Sequence, residues 1–565
     1  MHEPIVAYVS MEIAVASEVA TYGGGLGVLA GDVIRAAADA GYPMAGVTLL
    51  YRDGYFRQRL DAAGVQHEEP LSWRPDAALE KLAPVVTIPI SGRPVHAGVW
   101  RYAVTGVDGH RVPVYFLDTD REDNDDAARA LTSALYGGDA RYRLEQEALL
   151  GLGTVAMLRA LGYERAGTYH MNEGHSALLV LALLDETRDL PRVRERCVFT
   201  THTPVPAGHD CFALDLAHDV LGGEHVATLR ALGLADDDVL NMTHLALRAS
   251  RFTNAVAMKH GEVSRAMFPD ANVHAITNGV HAGTWTSQPF QDLFDRRLPG
   301  WRRDNWQLRQ AVGIPLHEIA DAHSAAKHAL IDRVAHATGK LLDPNRFTIG
   351  IARRATAYKR NDLILRDAGR LAWIAQNAGG IQLVFGGKAH PRDWDGKAMI
   401  QHIVGSAPAL AGAVDIVYVE NYDMSWGGAL TSGTDLWLNT PRPPNEASGT
   451  SGMKAAMNGV PSLSVMDGWW IEGALDGITG WSIDAQTGND DDATANALYT
   501  LLEHTILPAY THDRDRYVAV TRGAIAFNAS HFNAQRMLAQ YAIDAYALPF
   551  DSGAPRAQVD ELLAG

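Results

Sequence analysis

The chain has 565 residues, of which 47% are hydrophobic and 20% charged, with a formal net charge of −17. That is an ordinary globular balance, which excludes disorder and collagen-like repeats, and the length allows a core large enough to need no disulfide or metal staples. The acidity argues against non-specific binding to nucleic acid or to membranes, both of which want a basic face, although it leaves room for a local anion site. Cys197 and Cys211 are the two cysteines, too few for a disulfide framework or a thiolate cluster. The opening MHEPIVAYVSMEIAVASEVATYGGG has no basic start, no long apolar centre and no small-residue cleavage site, so it does not read as a signal peptide. No run approaches the roughly 18 apolar residues of a membrane span. A soluble, cytoplasmic protein is expected.

In chain order, IVAYVSM (residues 5–11) predicts a strand, GLGVLAGDVIRAAADAGY a helix stopped by glycine, and MAGVTLLY (44–51) the next strand. RDGYFRQ has the composition of a hairpin. AGTYHM, RCVFTTH and ANVHAITNG are apolar runs that end in polar residues. The alternation restarts after residue 340 with RFTIGIA (346–352) as a strand, NDLILRDAGRLAWIAQNA as a helix and IQLVFGG (381–387) as a strand, followed by DIVYVE, TDLWLN and PSLSVMD. Strands alternating with helices imply parallel sheets covered on both faces. Two such series predict an α/β fold of two Rossmann-like domains facing across a cleft, with the boundary between Asn278 and Asn345; one large sheet with insertions is the alternative. Ligands of open α/β sheets bind beyond the carboxyl ends of the strands, so each polar strand end is a site candidate.

Four constellations stand at such ends. TYGGGLGVLAGD places Gly23, Gly24, Gly25 and Gly27 at the start of a helix, where backbone amides can face an anion. Its spacing is not that of a dinucleotide fingerprint, and a plain tight turn is the competing reading. RRATAYKRND puts Arg353, Arg354, Lys359 and Arg360 directly after a strand, which suggests a phosphate pocket in an acidic protein or else a solvated basic loop. Lys388 and His390 add donors at the next strand end. NEASGTSGMKAAMNGV (445–460) joins Glu446, able to accept sugar hydroxyls, to a small-residue loop, Ser448 to Gly452, and to Lys454, a phosphate-binding cation or a Schiff-base amine. The spacing does not fit a P-loop. The histidine-bearing segments HMNEGH (His170, Asn172, Glu173, His175), THTPVPAGH (His202, His209) and TNGVH (Asn278, His281) suit sugar hydroxyls; no H-E-x-x-H pair supports a zinc site, and no metal is expected.

Together these residues resemble the α-1,4-glucan phosphorylases, of the compact prokaryotic type. EASGTSGMKAAMNG is similar to that family's cofactor-lysine signature, and GGLG, NEGH, THT, TNG, R-x-x-x-x-K-R and GGKAHP follow in the family's order across residues 5 to 475. The resemblance implies a glycosyltransferase B-type fold, pyridoxal 5′-phosphate as cofactor, and phosphorolysis of terminal α-1,4-linked glucose from a glucan or maltooligosaccharide. Inorganic phosphate would be consumed and α-D-glucose 1-phosphate released with retention. It implies residues 1–280 as the N-terminal domain with a glucan-binding part and 281–565 as the cofactor domain, its last helices able to pack back on the first domain. Lys454 would carry the cofactor. Thr450, Gly449, Gly25, Arg353 and Arg354 would contact it, and Arg354, Lys359 and His202 would serve catalysis beside Lys454. Gly24, Leu26, His175, His202, Asn278, Glu446, Ala447, Ser448 and Gly449 would line the substrate subsite. Glu173 stands where many relatives have Asp, and the stretch around Arg442 and Asn445 departs from the longer enzymes. Trp469 and Trp470 fit either sugar stacking or core packing. A homodimer is in keeping with the family, whereas control by phosphorylation or nucleotides is not expected. Two alternatives differ in class. A glycogen synthase-like nucleotide-sugar transferase should lack the Lys454 motif and carry Lys where this chain has Tyr22. A non-catalytic carbohydrate-binding homologue should have lost Lys454, Arg354 or Lys359, and all three are present.

Overall fold

The computed structural model describes residues 5–71, 73–163, 166–484 and 486–546. Its first half is built on β1 (Val6–Ser10), β2 (Met44–Leu49), the hairpin β3 (Arg57–Leu60) and β4 (Gln66–Glu69), then β5 (Glu80–Ile90), β6 (Arg93–Thr105), β7 (Arg111–Asp118), β8 (Thr168–Asn172), β9 (Cys197–Thr200), the short pair β10 (Cys211–Ala213) and β11 (Val239–Asn241), β12 (Phe252–Ala255) and β13 (Val273–Ala275). Nine of these strands form one sheet in the order β13-β12-β9-β8-β1-β2-β7-β6-β5. It is parallel from β13 to β7, and β6 and β5 extend it antiparallel. The second half supplies β14 (Phe347–Ala352), β15 (Ile381–Gly386), β16 (Val414–Val419), β17 (Leu436–Asn439), β18 (Ser462–Val465) and β19 (Gly480–Ile483). They form a wholly parallel sheet in the order β16-β15-β14-β17-β18-β19. Two separate sheets, rather than one with insertions, organise the chain.

Parallel strands covered by helices on both faces bury every side chain, and β1, β2, β8, β14 and β15 are buried at each position. In each sheet the chain winds outward one way and then returns to wind the other way. The reversals fall between β1 and β8 and between β14 and β17, the crevices where open α/β sheets receive ligands.

Three local expectations differ from the structure. RDGYFRQ leads into β3, and the hairpin turn itself is Asp61–Val65, where Gly64 adopts φ +78°. The segment expected as one helix from Asn361 breaks into a short turn, Leu363–Leu365, and a helix, Ala368–Asn377. The break is set by Asp367, whose carboxylate accepts the Arg370 amide and so caps a new helix start. The antiparallel arm β5–β7 has no counterpart among the expected strands.

The β3–β4 hairpin reaches from the first half onto the second. Gln58 Nε2 donates to the Gly387 carbonyl (2.9 Å) and Gln66 Nε2 to that of Ala389 (2.9 Å). The closing helix, Ala534–Gln540, returns to the first half. Ala534, Met537, Leu538 and Tyr541 share a core with Val6, Tyr8 and Val33, and the Tyr546 hydroxyl meets His170 Nδ1 at 2.7 Å. Among the described residues no helix is long and apolar enough to cross a membrane.

Candidate active site

Beyond β1 the chain delivers Glu12 to the glycine loop. Its Oε2 accepts the amides of Gly23 (2.6 Å) and Gly24 (3.1 Å), and its Oε1 the Tyr136 hydroxyl (2.9 Å). The helix Gly25–Asp39 starts there with no side-chain cap, and the amides of Gly25, Leu26 and Gly27 have no described acceptor. Beyond β8, Asn172 Nδ2 donates to Ser10 Oγ (3.0 Å), which turns Asn172 Oδ1 to His202 Nε2 (2.7 Å). In that orientation Nε2 carries the hydrogen and Nδ1 is left as an acceptor. Burial holds the His202 imidazole down at about 4, so it is neutral at physiological pH.

Glu173, in the left-handed region at φ +74°, accepts the amides of Gly174 (2.9 Å) and His202 (2.7 Å) and the Thr203 hydroxyl (3.0 Å). Burial alone would raise its carboxyl, but His202, His175 and these amides hold it below the usual range. His175 Nε2 lies 3.2 Å from Asp210 Oδ2. Glu147 and Asp210 join His175 in a set that could hold a cation, yet Arg143 already fills that role at 2.9 Å from Glu147 and 3.0 Å from Asp210.

At the second switch point, adjacent arginines part company. Arg353 is buried and turned inward, donating to Asn361 Oδ1, Asn439 Oδ1, Thr440 Oγ1 and the Lys359 carbonyl. Burial lowers its guanidinium to about 10. Arg354 is exposed, with no described hydrogen bond or ion pair, and its field reaches Tyr55 and His390. The Tyr55 ring lies 6.3 Å from Tyr136 and 6.4 Å from His390, so it bridges the two halves beside the glycine loop. Lys359 is ion-paired with Glu446; burial alone would lower its ammonium, but Glu446 raises it. Asp467, at the end of β18, accepts the amides of Glu446 and Gly468 (2.9 Å each), and burial pushes its carboxyl up to about 6.

Lys454 stands in the helix Thr450–Ala456, which begins after Gly449 in the left-handed region at φ +88°. Its side chain is buried, its Nζ lies 3.9 Å from the centre of the Trp285 ring, and it donates no described hydrogen bond. Burial brings its ammonium down to about 8, against the pull of Asp32. Trp285 Nε1 in turn donates to both Asp32 oxygens (3.0 and 2.9 Å). Some polar side-chain atoms at strand ends are buried without a partner among the described residues, namely Ser448 Oγ in this loop, His175 Nδ1 beyond β8 and Asn278 Oδ1 beyond the edge strand β13. Buried orphans of this kind are what a ligand rich in hydroxyl or phosphate oxygens can satisfy.

Other expected residues lie elsewhere. The Gly24 amide is taken by Glu12. Lys388 donates across the halves to the Phe56 carbonyl (2.7 Å). His170 is a core residue between Tyr546 and Thr200, and His209 bonds Thr243. His281 pairs with Asp39 (2.8 Å) and lines a cavity of about 510 Å³ with Arg35 and Tyr102, at the far end of the first helix from the glycines. Arg442 pairs with Asp491 (2.7 Å). Trp469 and Trp470 are buried, and a Cβ on Gly452 would come within 2.7 Å of the Trp469 ring, so both are packing residues. Glu12, Tyr136, Trp285 and Asp467 join the site without standing out in the sequence, although Glu12 and Asp467 are acids just past apolar strands.

Two α/β halves, one on a mostly parallel sheet and one on a wholly parallel sheet, with one switch point lined by neutral histidine and amide groups and the other by cations, define a glycosyltransferase B-type fold. Residues 6–266 match the family model described as starch synthase catalytic domain, and residues 210–475 match carbohydrate phosphorylase. Maltodextrin phosphorylase of Thermococcus litoralis is 37% identical over 95% of this chain and 70% of its own length. Glycogen phosphorylase of Mycobacterium bovis is 38% identical over 96% of this chain and 70% of its own, and that of Aquifex aeolicus 33% identical over 95% and 85%. The chain belongs to the carbohydrate phosphorylase family.

Proposed function

We propose that this protein is an α-1,4-glucan phosphorylase that transfers the terminal glucosyl unit of a glucan or maltodextrin to inorganic phosphate, with pyridoxal 5′-phosphate on Lys454. One observation carries the cofactor assignment. Lys454 is a buried amine with no ion pair or hydrogen bond among the described residues, brought down to about 8 by burial against the pull of Asp32, and a desolvated lysine of this kind is primed to condense with an aldehyde. The donor set fits the group, because a flat aromatic face (Trp285) lies against the amine, and the small-residue loop that leads into its helix carries an orphaned hydroxyl (Ser448). When bound, the cofactor supplies a second phosphate that exchanges a proton with the substrate phosphate.

The chain's own residues do the rest. Arg354, without a partner among the described residues, and Lys359 would hold the substrate phosphate, which competes with Glu446 for the Lys359 ammonium. The amides of Gly25 and Leu26 at the helix start would complete the anion cradle. Fixed donors aimed where two phosphates crowd offset their repulsion without reorganisation during the reaction. On the sugar side, His202 through Nδ1, Asn278 Oδ1, His175 Nδ1, Ser448 Oγ and Glu446 would accept or share the hydroxyl hydrogens of one glucosyl unit. The bond from the anomeric carbon to the next sugar breaks, that oxygen takes the proton of the phosphate, and the phosphate oxygen bonds to the anomeric carbon. The expected division of labour, residues 1–280 for the glucan and 281–565 for the cofactor, is part of the proposal.

The test is borohydride reduction of the protein loaded with cofactor, followed by peptide mapping. A phosphopyridoxyl group on Lys454, with glucose 1-phosphate formed from maltodextrin and phosphate, is the expected result. An unmodified Lys454 would overturn the reading and favour a nucleotide-sugar transferase.

A further inference from the structure

The four glycines of the loop have two different jobs. A Cβ on Gly27 would lie 2.8 Å from Glu12 Oε2 and 2.8 Å from Tyr22 Cβ, and one on Gly23 3.2 Å from both Leu135 and Tyr55. These two leave room for their neighbours. Beside Gly24 and Gly25 there is open space, and a Cβ on either would meet nothing within 4 Å.

What holds the loop in place ahead of Gly25 is Glu12, a nearly fully buried carboxylate (3% exposed). Both of its oxygens are engaged, one by the Gly23 and Gly24 amides and the other by the Tyr136 hydroxyl. Charge-assisted bonds to amides are short and directional, and the 2.6 Å contact to Gly23 is of that kind. Tyr136 is itself fixed by the Arg143 guanidinium 4.6 Å from its ring centre and by an edge contact to His175.

We propose that Glu12 is the positioning residue of the anion cradle. By occupying the Gly23 and Gly24 amides it sets the path of the loop, so that the next amides, Gly25 to Gly27, point free from the start of the helix toward the substrate phosphate. Its own negative charge is spread over three donors, which lessens its repulsion of that phosphate. The inference rests on the phosphorylase reading for the identity of the anion, and it concerns a residue that does not itself touch the substrate.

The experiment compares Glu12→Ala, Glu12→Gln and Tyr136→Phe in the full chain loaded with pyridoxal phosphate. Glu12→Ala should raise the KM for inorganic phosphate about 100-fold, the cost of an ångström-scale misplacement, while the KM for maltodextrin moves less than about threefold. Glu12→Gln keeps an oxygen for the two amides and should return the phosphate KM to within about fivefold of the parent. Tyr136→Phe, which removes one anchor and leaves the fold's other contacts, should raise it about fivefold and stands in if Glu12→Ala does not fold. A normal phosphate KM in Glu12→Ala, a parallel loss for both substrates, or a Gln variant as impaired as Ala would each overturn the proposal. Calorimetric titration with inorganic phosphate alone separates it from the reading beneath it. A parent that binds phosphate, with that binding lost in Glu12→Ala, but makes no glucose 1-phosphate would break the phosphorylase reading and leave the loop assignment standing.

Discussion

At the first switch point each carboxylate already has its partners. Glu12 is held by two amides and a tyrosine, Glu173 by amides and a hydroxyl, and Asp210 by Arg143 and His175. At the second, Lys454 and Arg354 have no ion-pair partner among the described residues, while Lys359 is balanced by Glu446 and Arg360 by Asp491. The difference teaches what each side is for. Internal pairing on the first side fixes neutral donors and acceptors, a histidine, an asparagine and helix-end amides, which in the proposed function meet sugar hydroxyls and the incoming phosphate. The second side keeps one unpaired cation buried, Lys454, at a cost in stability, and another, Arg354, exposed; in the proposed function anions complete both.

The contrast can be broken most sharply at Lys454. Lys454→Ala should abolish cofactor retention and lower the rate by on the order of 1,000-fold or more, with unchanged circular dichroism; a fully active, cofactor-free variant would sink the contrast. Arg354→Ala should come next, raising the phosphate KM by roughly 30-fold, the worth of one charged hydrogen-bonding group, and the maltodextrin KM far less. Equal losses for both substrates would make Arg354 structural. Glu446→Ala leaves Lys359 charged and buried without its partner, which should cost about 3 kcal/mol in denaturant unfolding. Arg442→Ala, at the exposed pair with Asp491, should cost less than about 1 kcal/mol.

The paired side makes its own statement through pH. Burial holds His170 at about 3 and His202 and His260 at about 4, below the unfolded value near 6.5. Between these limits the unfolded chain binds more protons than the folded one, so stability rises with pH over that window and is lost as pH falls from about 6.5 to about 4. Thermal unfolding followed across pH 4 to 7 checks this. His202→Asn should flatten the slope, and an unchanged slope would show that His202 is not among the groups responsible.

Much of this architecture could be read from the chain, for a physical reason. Strands of a parallel sheet are apolar throughout and end abruptly in polar residues, so β1, β8, β14 and β17 announce both themselves and the place where chemistry gathers. The antiparallel arm β5–β7 announces nothing comparable, because its outer strand β5 alternates exposed and buried residues over a weak, proline-containing pattern. The motif glycines and Lys454 were legible, but not the partition within each motif. Arg353 and Arg354 are neighbours of one type, and only the turn of the backbone sends one into the core and the other to the cleft. Glu12 meets Gly23 across a fold in the chain, and the helix at Asp367 restarts because a carboxylate caps it; both depend on geometry that hydropathy does not encode.

The closing helix has a consequence for how the molecule is made. Phe532 and Ala534 exchange backbone hydrogen bonds with Val280, and Met537, Tyr541 and Tyr546 complete a core that includes Val6 and Tyr8, which are synthesised well before them. The nine-stranded sheet therefore waits, one flank uncovered, while the second half of the polypeptide is still being synthesised. Only a chain that has reached Tyr546 can seal it, so premature termination yields a molecule with a bare apolar flank that quality-control machinery can recognise, rather than a trimmed enzyme that works.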